Sequence, residues 1–255
     1  MQKIITLITD FGLKDSFVGV MKGVICSINP DAKLVDINHN IERHNIMQCA
    51  VNIKDSYSYF PDGTIHMAVV DPGVGSERNP IIVESDHHYF VGPDNGIFSY
   101  IFENKSSKVY KITADEYFLD NISSSFHGRD IFSPIAGHLS KECVPDKYGT
   151  IMEDYVTIDL KRPLKTSKGI SGEIVYVDVF GNMMTNIKNE NVGYSDEIFI
   201  NDSSIGKLSS SYSEGQPDSL IAIHGSNGNI EIAINQGSAA ERYETLPCVK
   251  IVKSC

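Results

Sequence analysis

The chain of 255 residues carries 22 lysines and arginines against 33 aspartates and glutamates, a formal net charge of −11. With 41% hydrophobic and 22% charged residues, its composition is that of a folded globular protein and excludes a disordered or fibrous chain. The acidic balance disfavours a nucleic-acid partner, because proteins that bind nucleic acids present a basic surface to the phosphates.

The N-terminal segment predicts a buried strand. Its apolar run is interrupted by Asp10, so we expect neither a signal peptide nor a membrane-spanning segment, and no membrane partner. The five cysteines are odd in number and none has CxxC spacing, which disfavours a disulfide framework and a structural zinc site. We therefore expect a cytoplasmic protein without a metal.

The N-terminal part of the chain alternates between two hydrophobic periodicities. Residues 4–9, 33–37 and 64–70 are short β-rich runs, which predict strands. Between them, apolar residues recur at helical spacing over residues 17–28 and 46–60, which predicts two helices. Strands alternating with helices indicate right-handed crossovers, so we predict an α/β domain with a largely parallel sheet flanked by helices.

The pattern changes near residue 165. Before it, residues 80–84 and 89–91 predict a further strand pair and residues 126–139 a helix. After it come short β-rich runs over residues 172–179, 197–200, 219–223, 229–234 and 249–252, separated by glycine, asparagine and serine. These runs predict a smaller all-β, barrel-like domain. We therefore predict an α/β N-terminal domain over residues 1–165 and a β-barrel-like C-terminal domain over residues 166–255.

Polar residues follow the predicted strands, where ligands of open α/β sheets bind. Asp10 could accept hydrogen bonds from a ribose diol, or cap a turn. Asp71 enters a Pro/Gly loop with Arg78 seven residues later, and an isolated pair of this kind is more commonly a surface ion pair beside a turn. His127, beside Gly128 at a predicted helix start, could exchange a proton near neutral pH or merely pack there.

The C-terminal part offers candidates for holding an amino acid and a flat ring. Asp178 could bind an ammonium group and Ser226 a carboxylate, while Phe180 could stack on a ring. The backbone after Asn235 could contact an adenine edge. Each of these residues also fits ordinary hairpin-turn chemistry.

Six motifs occur in one order along the chain and together closely resemble the S-adenosyl-L-methionine (SAM) hydroxide adenosyltransferase family. They are Thr9-Asp10-Phe11-Gly12, residues 71–78, Pro93-Asp94-Asn95-Gly96, residues 126–132, Asp178-x-Phe180-Gly181-Asn182 and Asn235-x-Gly237-Ser238-Ala239. This family is related to the bacterial fluorinase and chlorinase. The resemblance implies hydrolysis of SAM to adenosine and L-methionine, with SAM as substrate and no cofactor. It also implies a homotrimer with active sites between one subunit's N-terminal domain and its neighbour's C-terminal domain.

The resemblance also implies roles for individual residues. A catalytic triad maps onto Asp71, Arg78 and His127, and we expect His127, rather than Asp71, to accept the proton of the attacking water. The implied binding residues are Asp10 for the ribose, Asp178 and Ser226 for the methionine moiety, and Phe180, Asn182 and the backbone from Asn235 to Ala239 for adenine.

Three alternatives remain open. The halogenating relatives carry tyrosine where Asp71 and His127 stand and serine where Gly128 stands, so halide transfer is disfavoured. A non-catalytic adenosine- or SAM-binding module would not need the three triad residues together. A serine hydrolase is disfavoured because the sequence has no GxSxG motif. In fluorinases an arginine follows the serine equivalent to Ser226, where this chain has Asn227.

Overall fold

The computed structural model describes residues 3–253. The chain divides into two compact units, one ending at Asp159 and the other beginning at Leu160. Each unit contains its own buried apolar clusters.

The first unit is built on a seven-stranded mixed sheet. Its strands are β1 (Ile4–Thr9), β2 (Lys33–Asn38), β3 (Ile65–Val69), β4 (Pro80–Ser85), β5 (His88–Pro93), β6 (Lys108–Ile112) and β7 (Gly149–Ile151). They lie in the order β2-β1-β3-β5-β4-β6-β7. The strands β2, β1, β3 and β5 pair in parallel, whereas β4, β6 and β7 extend the sheet by antiparallel pairing.

The predicted α/β fold is thus confirmed in broad terms, and its sheet is more mixed than expected. The strand pair β4 and β5 is joined by a two-residue turn, Asp86 and His87, with φ angles of 49° and 63°. Two consecutive residues with positive φ match the twist of an antiparallel hairpin. The short turn therefore forces β4 to run antiparallel to β5.

Three α-helices cover the two faces of this sheet: α1 (Phe17–Ile28), α2 (Ile46–Ser56) and α3 (Ser133–Glu142). Helices α1 and α3 pack on the face that carries Ile5 and Leu7, whereas α2 packs on the face that carries Ile8. This division follows from the strand geometry, since successive side chains point to opposite faces. The helix predicted from residue 126 begins later, as a π-helical turn over Gly128–Phe132 that leads into α3.

The second unit is an antiparallel, barrel-like sheet, as predicted. Its strands are β8 (Leu164–Thr166), β9 (Gly169–Val177), β10 (Met183–Lys188), β11 (Glu197–Ile200), β12 (Ser203–Lys207), β13 (Leu220–His224), β14 (Asn229–Ile234) and β15 (Cys248–Val252). Seven of them follow the order β12-β11-β15-β9-β10-β14-β13, and β8 pairs with β9. A bridge between Leu208 and Ala222 links the segment after β12 to β13, which brings the sheet close to closure.

Membrane-spanning helices are not found between residues 3 and 253: every helix there is too short or too polar to cross a bilayer.

Candidate functional site

Asp71, Arg78 and His127 come together in the first unit. Asp71 follows β3 and Arg78 precedes β4, so the loop between these strands brings the two side chains face to face. The Arg78 Nε atom lies 3.0 Å from each Asp71 carboxylate oxygen, and Nη2 also donates to Oδ2. The same Nη2 lies 2.8 Å from Nδ1 of His127, at the start of the π-helical turn.

This triad is largely shielded from water. The Arg78 and Asp71 side chains are 9% and 5% exposed, so their ion pair is little screened by solvent. The guanidinium also lies over the Phe132 ring, 5.2 Å from its centroid. Because a buried charge is stable only when paired and hydrogen-bonded, each partner requires the other.

Gly75 lies where the loop of Asp71 packs closely against the segment that precedes His127. It adopts a φ of +78°, and a Cβ atom built there would lie 2.2 Å from the carbonyl oxygen of Ser124. A side chain would therefore be both strained and in collision with the backbone. The absence of a side chain lets the two segments approach closely enough for the triad to form.

The contact with Arg78 determines the proton position on His127. A guanidinium only donates hydrogen bonds, so Nδ1 must accept and the neutral ring must carry its proton on Nε2. Burial, and then the charge of Arg78, lower the pKa of His127 below its ordinary value of 6.5, with Asp71 among the groups that partly oppose them. In this arrangement the neutral imidazole has no free lone pair, which argues against our expectation that His127 accepts the proton from water.

Asp10 lines a separate recess of about 370 Å³ in the same unit. Its Oδ2 atom accepts a hydrogen bond of 2.9 Å from the backbone N–H of His44, and a carboxylate retains further acceptor positions. The neighbouring Phe11 ring is 3.5 Å from where a Cβ on Gly128 would lie. The loop of Asp10 therefore lies beside the turn that carries His127.

The second unit holds a larger cavity of about 580 Å³. It is lined by Asp178, Phe180, Asn182, Met184, Tyr212, Ser226, Glu231, Ile234, Gln236 and Gly237. Four of the residues singled out in the sequence therefore share one cavity, although Ser226 lies more than 40 positions beyond the other three.

Asp178 organises the turn that forms one wall of this cavity. Its Oδ1 atom accepts hydrogen bonds of 2.9 Å from the backbone N–H groups of Phe180 and Asn182, and its Oδ2 accepts one of 2.9 Å from the Asn182 amide. Asp178 therefore makes the turn hydrogen bonds that the sequence analysis gives as the alternative to ligand binding. The turn presents Phe180 with its side chain 74% exposed.

Asn235 and Ala239 are not among the lining residues of this cavity. The Asn235 amide lies 3.4 Å from the carbonyl oxygen of Gly215, and Ala239 is fully buried in the apolar core. Between them, Gln236 and Gly237 reach the cavity. Of this segment, Gln236 and Gly237 therefore line the cavity, whereas Asn235 and Ala239 do not line it.

Sequence reasoning missed Tyr212 and Glu231, which both line the cavity and are joined by a hydrogen bond from the phenol to the carboxylate. A signal for Glu231 was present, since it is the one charged residue within the apolar strand β14. Tyr212 begins a short 3₁₀ helix within a serine-rich segment and carries no such signal. No group of three or more His, Cys, Asp or Glu side chains suited to a metal ion occurs within residues 3–253.

Comparison with known proteins assigns both units to one family. Residues 5–149 match the model of the SAM hydroxide adenosyltransferase N-terminal domain, and residues 172–248 match that of the C-terminal domain. The chain is 40% identical over 206 residues to an (R)-S-adenosyl-L-methionine hydrolase of Methanocaldococcus jannaschii, covering 77% of this chain and 72% of the relative.

A Thermus thermophilus protein of the same name is 31% identical over 245 residues, covering 92% of each chain. The crystal structure of an uncharacterized conserved protein from Thermotoga maritima superposes with a TM-score of 0.90 at 30% identity, covering 98% of this chain and 100% of that one. The sequence motifs, the fold of both units and these matches agree, and the chain belongs to the SAM hydroxide adenosyltransferase family.

Proposed function

We propose that this protein hydrolyses SAM to adenosine and L-methionine by attack of water on C5′. The observation that carries the proposal is the buried cluster of Asp71, Arg78 and His127, which a module that only binds adenosine would not need. The relatives named (R)-S-adenosyl-L-methionine hydrolase support the same reaction.

In this reaction the nucleophile, rather than the leaving group, limits the rate without a catalyst. The positively charged sulfur of the substrate takes the electron pair of the C5′–S bond and leaves as a neutral thioether. No acid is needed to protonate the leaving group. Water is a weak nucleophile, and holding it in line behind C5′ can contribute up to roughly 7–11 kcal/mol through proximity and orientation. Catalysis therefore depends on side chains that fix the water and accept its proton.

The triad divides these tasks between its members. We assign to His127 the role of donor, its Nε2–H holding the water oxygen, and to Asp71 that of acceptor for the proton released as the O–C5′ bond forms. Arg78 holds both groups through one guanidinium. The thioether leaves without a proton, and Asp71 passes the proton it has accepted to solvent before the next turnover.

The substrate-binding residues are assigned by the same reasoning. Asp10 binds the ribose hydroxyls, and Phe180 and Asn182, with the backbone from Asn235 to Ala239, bind adenine. Asp178 and Ser226 face the methionine moiety. Support comes from the recess lined by Asp10 and from the cavity lined by Asp178, Phe180, Asn182 and Ser226.

We further propose a homotrimer, in the cytoplasm, whose active sites combine the N-terminal domain of one subunit with the C-terminal domain of its neighbour. The exposed apolar side chains beside the two candidate regions support this arrangement, since Leu13 is 68% and Phe180 74% exposed. Mixing refolded His127→Ala and Phe180→Ala subunits tests it. Activity regained in the hybrid supports shared sites, and an inactive hybrid of confirmed mixed composition contradicts them.

Product analysis tests the proposed reaction and its alternatives. The purified protein is incubated with SAM in the presence and absence of chloride. Adenosine and methionine in equal amounts support hydrolysis, and a chlorinated nucleoside would instead support halide transfer. Unchanged SAM that nevertheless binds would support a non-catalytic binding module.

A further inference from the structure

Glu231 is a buried acid that the assigned roles leave unused. It lies on β14 between Ile230 and Ile232, which point into the apolar core, so its own side chain points to the opposite face. There it lines the cavity of the second unit and is only 3% exposed. A buried carboxylate without a positively charged partner is costly, which calls for a cation at this position.

The contacts of Glu231 leave room for such a partner. Its Oε1 atom accepts a hydrogen bond from the phenol of Tyr212, a neutral group that orients the carboxylate without neutralising it. Burial raises the pKa of Glu231, the Tyr212 hydrogen bond offsets this in part, and the nearby charge of Asp178 adds to the increase. Burial and the charge of Asp178 thus disfavour the charged form of Glu231, and a cation bound beside it would offset them.

Asp178 is less free to bind a ligand. Its two oxygens already accept three hydrogen bonds from Phe180 and Asn182, out of about four acceptor positions on a carboxylate. Replacing these hydrogen bonds with contacts to a ligand would loosen the turn that presents Phe180. Between the two acids of the cavity, Glu231 therefore has the greater unused capacity.

The charge of the cavity favours a cation with N–H donors. Its charged lining residues, Asp178 and Glu231, are both acidic. A sulfonium has no N–H to donate, whereas a primary ammonium offers three donors to the two carboxylates and to Ser226. A carboxylate group of a ligand would receive no basic partner from this lining.

We propose that Glu231, oriented by Tyr212, binds the α-ammonium group of the substrate's methionyl moiety and makes that group the principal determinant of recognition in this cavity. The inference rests on SAM as the proposed substrate. Asp178 then adds its negative charge beside the ammonium group while it holds the turn that presents Phe180.

Binding of a thioether ligand tests this proposal independently of turnover. S-Adenosyl-L-homocysteine has a poor leaving group, and its counterpart without the α-amino group differs only at the atom in question. By calorimetry, the wild-type protein should bind the deaminated ligand about tenfold or more weakly, as expected for a charged hydrogen bond. Glu231→Gln should reduce this discrimination to about twofold, whereas Glu214→Gln, at an exposed acid near Tyr212, should retain it.

The possible outcomes separate this inference from the proposed reaction. Full discrimination in folded Glu231→Gln protein, or none in the wild type, overturns the role of Glu231. If Glu231→Gln does not fold, Tyr212→Phe decides: reduced discrimination supports the proposal and unchanged discrimination overturns it. Discrimination without release of adenosine from SAM counts against hydrolysis and leaves the ammonium site supported.

Discussion

One guanidinium nitrogen of Arg78 donates to Nδ1 of His127 at 2.8 Å and also binds Asp71. Arg78 therefore fixes both the position of the carboxylate and the tautomer of the imidazole. It follows that the three residues act as a unit, so single substitutions should be non-additive.

The tautomer of His127 can be measured directly. We expect ¹⁵N NMR of the wild type to show a protonated Nε2 and an unprotonated Nδ1 at neutral pH. Arg78→Gln should raise the pKa of His127, because it removes a cation and leaves Asp71 without its partner. An unchanged or lower pKa in the variant would contradict the proposed coupling.

The pH dependence of turnover follows from the same contact. Protonation of His127 places a proton on Nδ1, which then faces the Arg78 cation and breaks the hydrogen bond. Because burial and Arg78 lower the pKa of His127, kcat should fall on acidification with a midpoint below 6.5 and stay constant just above it. A fall in kcat that begins well above pH 6.5 would show that a group other than His127 is ionising.

Substitution at Gly75 should damage both the fold and the site. Gly75→Ala places a Cβ 2.2 Å from the Ser124 carbonyl oxygen at a φ of +78°, so it should destabilise by more than ~1 kcal/mol and displace His127. Gly73→Ala is the matched control, since its Cβ would lie 3.4 Å from the nearest atom, and it should cost less than ~0.5 kcal/mol. Urea unfolding and kcat measure both effects, and equal behaviour of the two variants would refute the argument.

Asp10 should act on binding rather than on the chemical step. Asp10→Ala removes charged hydrogen bonds to the ribose worth about 1.5–3 kcal/mol, so KM should rise roughly tenfold or more while kcat changes little. Asp31→Ala, at an exposed turn after α1, controls for the loss of one negative charge. A fall in kcat at constant KM would exclude the ribose role.

A buried histidine pair away from the site should make stability depend on pH. His66 lies 2.8 Å from Thr6 Oγ1 and 3.2 Å from His88, and burial lowers its pKa to about 3. Between pH 6.5 and 3 the unfolded chain binds a proton at His66 that the folded one does not, so stability falls by up to ~1.4 kcal/mol per pH unit on acidification. His66→Gln should weaken this dependence in urea unfolding, and an identical slope would contradict the assignment.

The fold was predictable where hydrophobic periodicity was strong. The runs at residues 197–200 and 229–234 coincide with β11 and β14, because apolar residues there are bounded by turn residues. Strand β10 was missed, since its buried face includes the polar Thr185. The sheet was more mixed than predicted because a two-residue turn, rather than a crossover, joins β4 to β5.

The candidate site was predictable only in part from the residues themselves. Asp71 and Arg78 share a loop, but His127 lies 49 positions beyond Arg78, and no local pattern predicts such a contact. Family resemblance supplied that connection. Glu231 was overlooked because the sequence does not show whether an acid in an apolar strand faces solvent or a cavity. The cavity that Glu231 lines is created by tertiary packing.

The origin of the oxygen in the product tests the central claim most directly. The protein is incubated with SAM in H₂¹⁸O and the adenosine is examined by mass spectrometry with fragmentation. We expect one ¹⁸O atom in the 5′-hydroxyl group and none in the released methionine. Adenosine without the label, or label carried by methionine, would show that water does not attack C5′.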